Sequence, residues 1–129
     1  MKIAFTTKTG DTIDMHFGQA DSFHIWEVGP EEAHYVQTLT VGEHGSDEED
    51  RIAARASLLA DCAIVYTMQI GGPAAAKLVA KRIHPMKTNV EVGLKESIER
   101  MQEVLRGNPP PWLRKAMNKD VATSFLDED

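Results

Sequence analysis

The run Met15-His16-Phe17-Gly18-Gln19-Ala20 seats one histidine between two apolar stretches, Ile3-Ala4-Phe5 before it and Phe23-His24-Ile25-Trp26 after it. An imidazole on a loop held at both ends can reach solvent and offer a nitrogen to a metal, and neutral imidazole is a good ligand for iron at pH 7. A lone loop histidine is also an ordinary surface residue, so its neighbours must decide between the two readings. Met15 and Met68 flank two loops, where a thioether either packs softly against sulfide or simply fills a gap. Cys62 is the sole cysteine. Its thiolate would bind iron, yet its place at the head of an apolar run also fits an inert core residue. His24 and His34 lie within strand patterns, His44 sits on a glycine-bounded loop, and His84 precedes an edge strand; no pair has the close helical spacing of a zinc site.

Gly71-Gly72 lacks the lysine and Ser/Thr of a P-loop and the third glycine of a dinucleotide fingerprint. What remains is a tight turn opening a helix, or a backbone that faces a ligand. Lys8 shares the loop with His16 and is the cation best placed to meet an anion, whereas Lys77, a turn into its helix, reads as a solvated side chain.

The elements that must position these residues follow from periodicity. Lys2 to Thr6, Ser22 to Val28 and His34 to Val41 read as strands, the last two joined into a hairpin by Gly29-Pro30-Glu31-Glu32. Ser46 with Glu49 has capping-box spacing, and Ile52, Ala56, Leu59 and Ala63 form the apolar stripe of a first helix, with Arg51 and Arg55 off it. The acidic cluster from Asp47 to Asp50 is explained by the dipole at that helix's first turn. Cys62 to Thr67 is a near-continuous apolar run, as expected of a central strand covered on both faces. Pro73 then opens an alanine-rich second helix. Ile83 to Thr88 is a short fifth strand that Pro85 pushes to the edge. Leu94, Ile98, Met101 and Leu105 mark a third amphipathic helix that stops at Gly107 and Pro109-Pro110-Pro111. Trp112 to Met117 adds a turn or two, with the tryptophan either packing back on the domain or meeting a partner, and residues 118–129 are expected to be a loose acidic tail.

Three strands followed by helix, strand, helix, strand, helix describe a single-domain α/β fold: a mixed five-stranded sheet with helices on its faces. Ligands in such sheets sit beyond the carboxyl ends of central strands. The loops Thr7 to Asp21 and Met68 to Gly72 meet that condition, and they share one edge if the first and fourth strands are parallel neighbours. His16 would then face a helix N-terminus that attracts anions, which predicts a ligand both metal-bearing and negatively charged.

Composition narrows the partners. The chain has 129 residues, enough for one core, and 20 acidic against 14 basic residues give a net charge of −6, which argues against a nucleic-acid partner bound through its phosphates. A single cysteine precludes an intrachain disulfide and an all-cysteine cluster site. The absence of a leader pattern and of any apolar run near the roughly 20 residues needed to cross a bilayer predicts a soluble, cytoplasmic protein with no membrane partner. A metal-dependent hydrolase is disfavoured too, because the first and fourth strands carry no carboxylate and Asp11, Asp14 and Asp21 lie on the loop instead.

His16-Phe17-Gly18 after a first strand, Cys62 to Thr67 leading into Gln69-Ile70-Gly71-Gly72-Pro73-Ala74-Ala75, Ile83-His84-Pro85, and Pro110-Pro111-Trp112-Leu113 occur together in this order. In these motifs, from about residue 2 to residue 117, the chain resembles the nitrogenase iron–molybdenum cofactor-binding family, in its NifX-type accessory branch. The resemblance implies a ribonuclease-H-like domain over residues 2–117 that binds the iron–molybdenum cofactor or its iron–sulfur precursor and carries it, without catalysis. Expected partners are the cofactor-core synthase, the cofactor scaffold protein and apo-nitrogenase, with the chain itself a monomer or weak homo-oligomer. The family's ligating histidine lies in the His-Phe-Gly motif, which only His16 matches. With the loop residues read above, cofactor-binding positions are expected at Met15, His16, Phe17, Gly18, Met68, Gly71, Gly72 and Lys8, with Cys62 as a secondary candidate metal ligand. The alternative is an adaptor that docks on assembly partners and holds no cluster.

Overall fold

Alternation along the first strand feeds two cores. In β1 (Lys2–Thr6), Ile3 and Phe5 point to one side and Ala4 to the other; in β5 (Ile64–Thr67), Ile64 and Tyr66 join Ile3 and Phe5 while Val65 joins Ala4. Both strands are buried on both faces, so the apolar run at Cys62 to Thr67 needs cover on each side. The computed structural model describes residues 1–119. Helices α1 (Glu48–Leu58) and α2 (Gly72–Ala80) cover one face, and α3 (Leu94–Arg106) and α4 (Pro111–Met117) cover the other.

Two more long strands, β3 (Ser22–Val28) and β4 (Ala33–Thr40), complete the sheet with the edge strand β6 (His84–Lys87) in the order β4-β3-β1-β5-β6. β3 runs antiparallel to β1 and to β4, while β5 runs parallel to β1 and to β6. This is the mixed five-stranded sheet expected from the element order. The hairpin turn closes through Gly29 N–H to the Glu32 carbonyl. Pro85 is accommodated because β6 lies at the sheet edge, with β5 as its neighbour.

Three local expectations are corrected. The cap of α1 is Asp47, whose carboxylate accepts from Asp50 N–H at 2.7 Å, instead of a Ser46–Glu49 box. Asp47 is the better cap because an acceptor on the residue next to the helix reaches the N3 amide directly. Arg55 is not on a solvated face: it is buried, its Nε donating to the Ala20 carbonyl at 3.1 Å and one Nη to the Arg51 carbonyl at 3.1 Å. Burial pushes its pKa below the usual guanidinium value, partly offset by Asp21. Nor is the segment from Thr7 to Asp21 all loop, since β2 (Thr12–Ile13) pairs antiparallel with β7 (Val92–Gly93) and a 3-10 turn spans Phe17–Gln19. Gly10 starts the return of that loop at φ +85°, where an added Cβ would also strike the His24 ring at 2.8 Å.

Trp112 packs back on the domain, its ring stacked on His84 at a centroid distance of 3.8 Å. Burial holds the His84 pKa below its ordinary value. Of the expected acidic tail, residues 120–129 lie outside the described residues. Lys119 is buried, its Nζ donating to the carbonyls of Cys62, Lys81 and Arg82.

Tyr66 stacks on Phe5 with ring centroids 5.2 Å apart and is 8% exposed. Burial pushes its phenol from the ordinary 10.0 up to about 12. Between those values the folded chain keeps a proton that the unfolded chain has lost, so stability is intact below pH 10 and falls as pH rises towards 12. Tyr66→Phe should be nearly neutral at pH 7 and should remove about 2 kcal/mol of that alkaline loss, as read by urea unfolding across the window.

Candidate functional site

His16 is exposed while Met15 and Phe17 on either side are buried. The backbone enforces this alternation. Met68 N–H donates to the Met15 carbonyl at 3.1 Å and Phe17 N–H to the Gln69 carbonyl at 2.9 Å, so the two residues flanking His16 are tied to the segment leaving β5. Residues that bond sideways to a neighbouring segment alternate in direction as in a strand, and the imidazole is turned outward. Two buried hydroxyls reinforce the tie: Thr6 Oγ1 donates to the Met15 carbonyl at 2.9 Å, and Thr67 Oγ1 lies 3.1 Å from the same carbonyl and 3.2 Å from that of Gln69. Phe17 anchors the turn from below against Phe23, with ring centroids 5.8 Å apart.

The parallel pairing of β1 with β5 brings the two loops to one edge, as their order required. Between them and α1 lies a cavity of about 620 Å³ whose wall includes His16, Gly18, Gln69, Gly71, Glu48 and Arg51. Gly71 is the N-cap of α2 and no side chain caps it. The first amides of α2 therefore present free donors and the positive end of the helix dipole to the same space. Pro73 near the helix start sacrifices no bond, because its position has no intrahelical acceptor.

The structure gathers His16, Gly18 and Gly71 from the expected set and leaves the others elsewhere. Gly72 follows as the first residue of α2. Phe17 and Met15 belong to the core on the α1–α2 face, and Met68 packs against the core on the opposite face. Lys8 is exposed, its backbone N–H bonded to Asp14 Oδ1, and it does not line the cavity. Cys62 is buried just before β5, at the opposite end of that strand from the His16 loop. Among the described residues, no group of three or more His, Cys, Asp or Glu side chains is placed to hold a metal ion.

Arg51 is the cation that sequence reasoning missed at this site. Its position off the apolar stripe read as solvent-facing, and only the tertiary path of α1 over the His16 turn turns that face into a cavity wall. Asp47 as the cap was the available signal: it puts Glu48, Arg51 and Ile52 together on the first turns, and all three line the cavity. Glu48 also borders a smaller cavity with Glu49 and Lys77.

The family model described as "Dinitrogenase iron-molybdenum cofactor" matches residues 1–104. The chain belongs to this family. A NifX protein of Herbaspirillum seropedicae is 40% identical over 92% of this chain and 83% of its own length. A NifY protein of Azotobacter vinelandii is also 40% identical, over 93% of this chain but only 49% of the relative. A NifB of Bradyrhizobium diazoefficiens, named as an iron–molybdenum cofactor biosynthesis protein, is 29% identical over 85% of this chain and 25% of itself. The apo form of the orange protein of Desulfovibrio gigas shares the fold at a TM-score of 0.61 and 20% identity, covering 81% of this chain and 88% of that one. Family membership thus agrees with the motif resemblance read from the sequence. No helix among the described residues is long and apolar enough to cross a membrane.

The hydroxyl ties give a direct test of how the His16-Phe17-Gly18 loop is held. Thr67→Val preserves shape but removes the donor to Met15 and Gln69; it should destabilise the chain by about 1–2 kcal/mol and raise amide exchange at residues 15–19 selectively. Denaturant unfolding and hydrogen exchange check both parts.

Proposed function

We propose that this chain is a non-catalytic carrier of the nitrogenase iron–molybdenum cofactor or its iron–sulfur precursor, held at His16 and delivered during cofactor assembly. The observation that carries the reading is that His16, Arg51 and the uncapped start of α2 line one open cavity of about 620 Å³. A single imidazole supplies one bond to a metal, and the described residues assemble no site for a bare ion. The arrangement suits a preformed cluster that keeps its own internal ligands and exchanges one external bond on transfer. Arg51 and the α2 amides complement the negative charge expected of a cluster rich in sulfide.

Chemistry on the cargo finds no support in the side chains. β1 and β5 carry no carboxylate at their ends nearest the cavity, where a two-metal hydrolase would need them, and Cys62 is buried away from it. The NifX and NifY names of the relatives and the NifB similarity favour a role alongside the cofactor-building machinery. On this reading the donor is the cofactor-core synthase or the scaffold protein, and the acceptor is the scaffold or apo-nitrogenase.

Anaerobic titration of the apo-chain with isolated precursor cluster, followed by visible absorption and electron paramagnetic resonance, tests the proposal. The wild type should form a coloured complex with an altered resonance signal. His16→Ala should weaken binding by at least about tenfold, equivalent to about 1.4 kcal/mol, while unfolding stability stays within about 0.5 kcal/mol. Arg51→Ala should weaken it by about two- to fivefold, with the larger effect at low ionic strength. Unchanged affinity in His16→Ala would remove the ligand assignment, and no complex with the wild type would favour the adaptor reading.

A further inference from the structure

A second concavity lies on the other face of the sheet, between α3, α4 and the ends of β5 and β6, and no part of the His16 site reaches it. Its volume is about 560 Å³, within the usual range for small-molecule sites. Met86, Met101, Val104, Trp112 and Leu113 give it mostly apolar walls. Its charged pair, Arg100 and Glu96, is self-neutralised by a 3.3 Å contact. Methionines make such walls adaptable to a ligand's shape.

One polar group opens into this cavity with no hydrogen-bond partner among the described residues. Tyr66 lines it and is 8% exposed, but its hydroxyl makes no hydrogen bond among the described residues. The other hydroxyls of the wall are committed: Ser97 Oγ donates to the Gly93 carbonyl, and Thr88 Oγ1 to the Val90 carbonyl at 2.7 Å. The phenol oxygen is open to the cavity and is not one of the sealed, unsatisfied atoms, so it is free to donate to an acceptor that enters there. A charged ligand is disfavoured, because the walls are apolar and the single ion pair is already satisfied.

We propose that this cavity binds a small uncharged organic molecule with an apolar, ring-containing body and one carbonyl or ether oxygen that accepts a hydrogen bond from the Tyr66 phenol. The body packs against Met86, Met101 and Trp112, and the oxygen fixes its orientation. The cargo proposed for the His16 cavity, an anion, does not fit this description, so the two sites take different ligands.

Acetylnaphthalene and ethylnaphthalene, which differ chiefly in the acceptor oxygen, are titrated into the full chain while nitrogen–proton correlation NMR follows the Trp112 indole. Wild type should bind both, the ketone about two- to tenfold more tightly, the span of one neutral hydrogen bond. Tyr66→Phe should abolish that preference while still binding the hydrocarbon. Val104→Glu, at a wall position that is 42% exposed and tolerant of substitution, should weaken both probes. His16→Ala should change neither, which keeps this test separate from the carrier proposal. The inference is overturned if neither probe shifts Trp112, or if the ketone preference survives in Tyr66→Phe. It is equally overturned if sedimentation shows a dimer that excludes the probes and that Val104→Glu dissociates, since the face would then belong to a second copy.

Discussion

Two backbone hydrogen bonds, Met68 N–H to the Met15 carbonyl and Phe17 N–H to the Gln69 carbonyl, set the geometry on which the site depends. They extend the β1–β5 pairing past the strands themselves, so the loop carrying His16 inherits the rigidity of the central sheet. The Met15 carbonyl is the convergence point, approached by an amide and by the hydroxyls of Thr6 and Thr67. The two hydroxyl bonds are buried, where an unsatisfied partner costs far more than the bond itself contributes. The loop therefore cannot drift without exposing a cost of that size. Arg55 adds a second tether from α1 to the Ala20 carbonyl, on the far side of the 3-10 turn. An exposed histidine is thus held by buried neighbours, and its own replacement need not disturb them.

Electrostatics at the site differ from the charge of the whole chain: Arg51 balances Glu48, and the amides opening α2 add partial positive charge. A net charge of −6 would repel an anion at long range, but physiological salt screens charges beyond about 8 Å, which leaves the groups in the cavity wall to dominate. Those groups are Arg51, Glu48 and the amides opening α2. The two sheet faces differ in character: α1 and α2 frame the polar cavity, whereas α3 and α4 border an apolar one lined by Tyr66 and Trp112.

Much of this frame was legible in the sequence because its signals are local or periodic. The apolar run into Tyr66 and Thr67, the Gly71-Gly72-Pro73 start and the stripe from Leu94 to Leu105 each specify an element on their own, and the order of elements then leaves few topologies. What sequence did not disclose depends on tertiary paths. Arg55 lies off the apolar stripe of α1, yet the turn at Ala20 passes over it and buries it. Arg51 becomes a cavity wall for the same reason, while Lys8, nearer to His16 in sequence, is carried away by the Gly10 reversal and the β2–β7 strap. The strap itself is two residues on each side, too short for any period to register. Cys62 was ambiguous by chemistry alone, and topology places it at the wrong end of its strand.

A holder of transferable cargo faces opposed demands, since it must recognise the cluster and must also release it. Ligand number is the natural control. Several protein bonds to one metal would bind tightly through the chelate effect of a preorganised set, and release would then need all of them broken together. One imidazole with diffuse positive potential avoids that trap: the bond gives orientation, and the potential supplies attraction that a more basic acceptor can outcompete. The rigid loop matters here because a preorganised histidine loses little entropy on binding and regains little on release. On the carrier reading proposed above, rigid support beneath a sparse ligand set is what the site would require, and the buried Thr6, Thr67 and Arg55 contacts lie outside the cavity wall and would provide it.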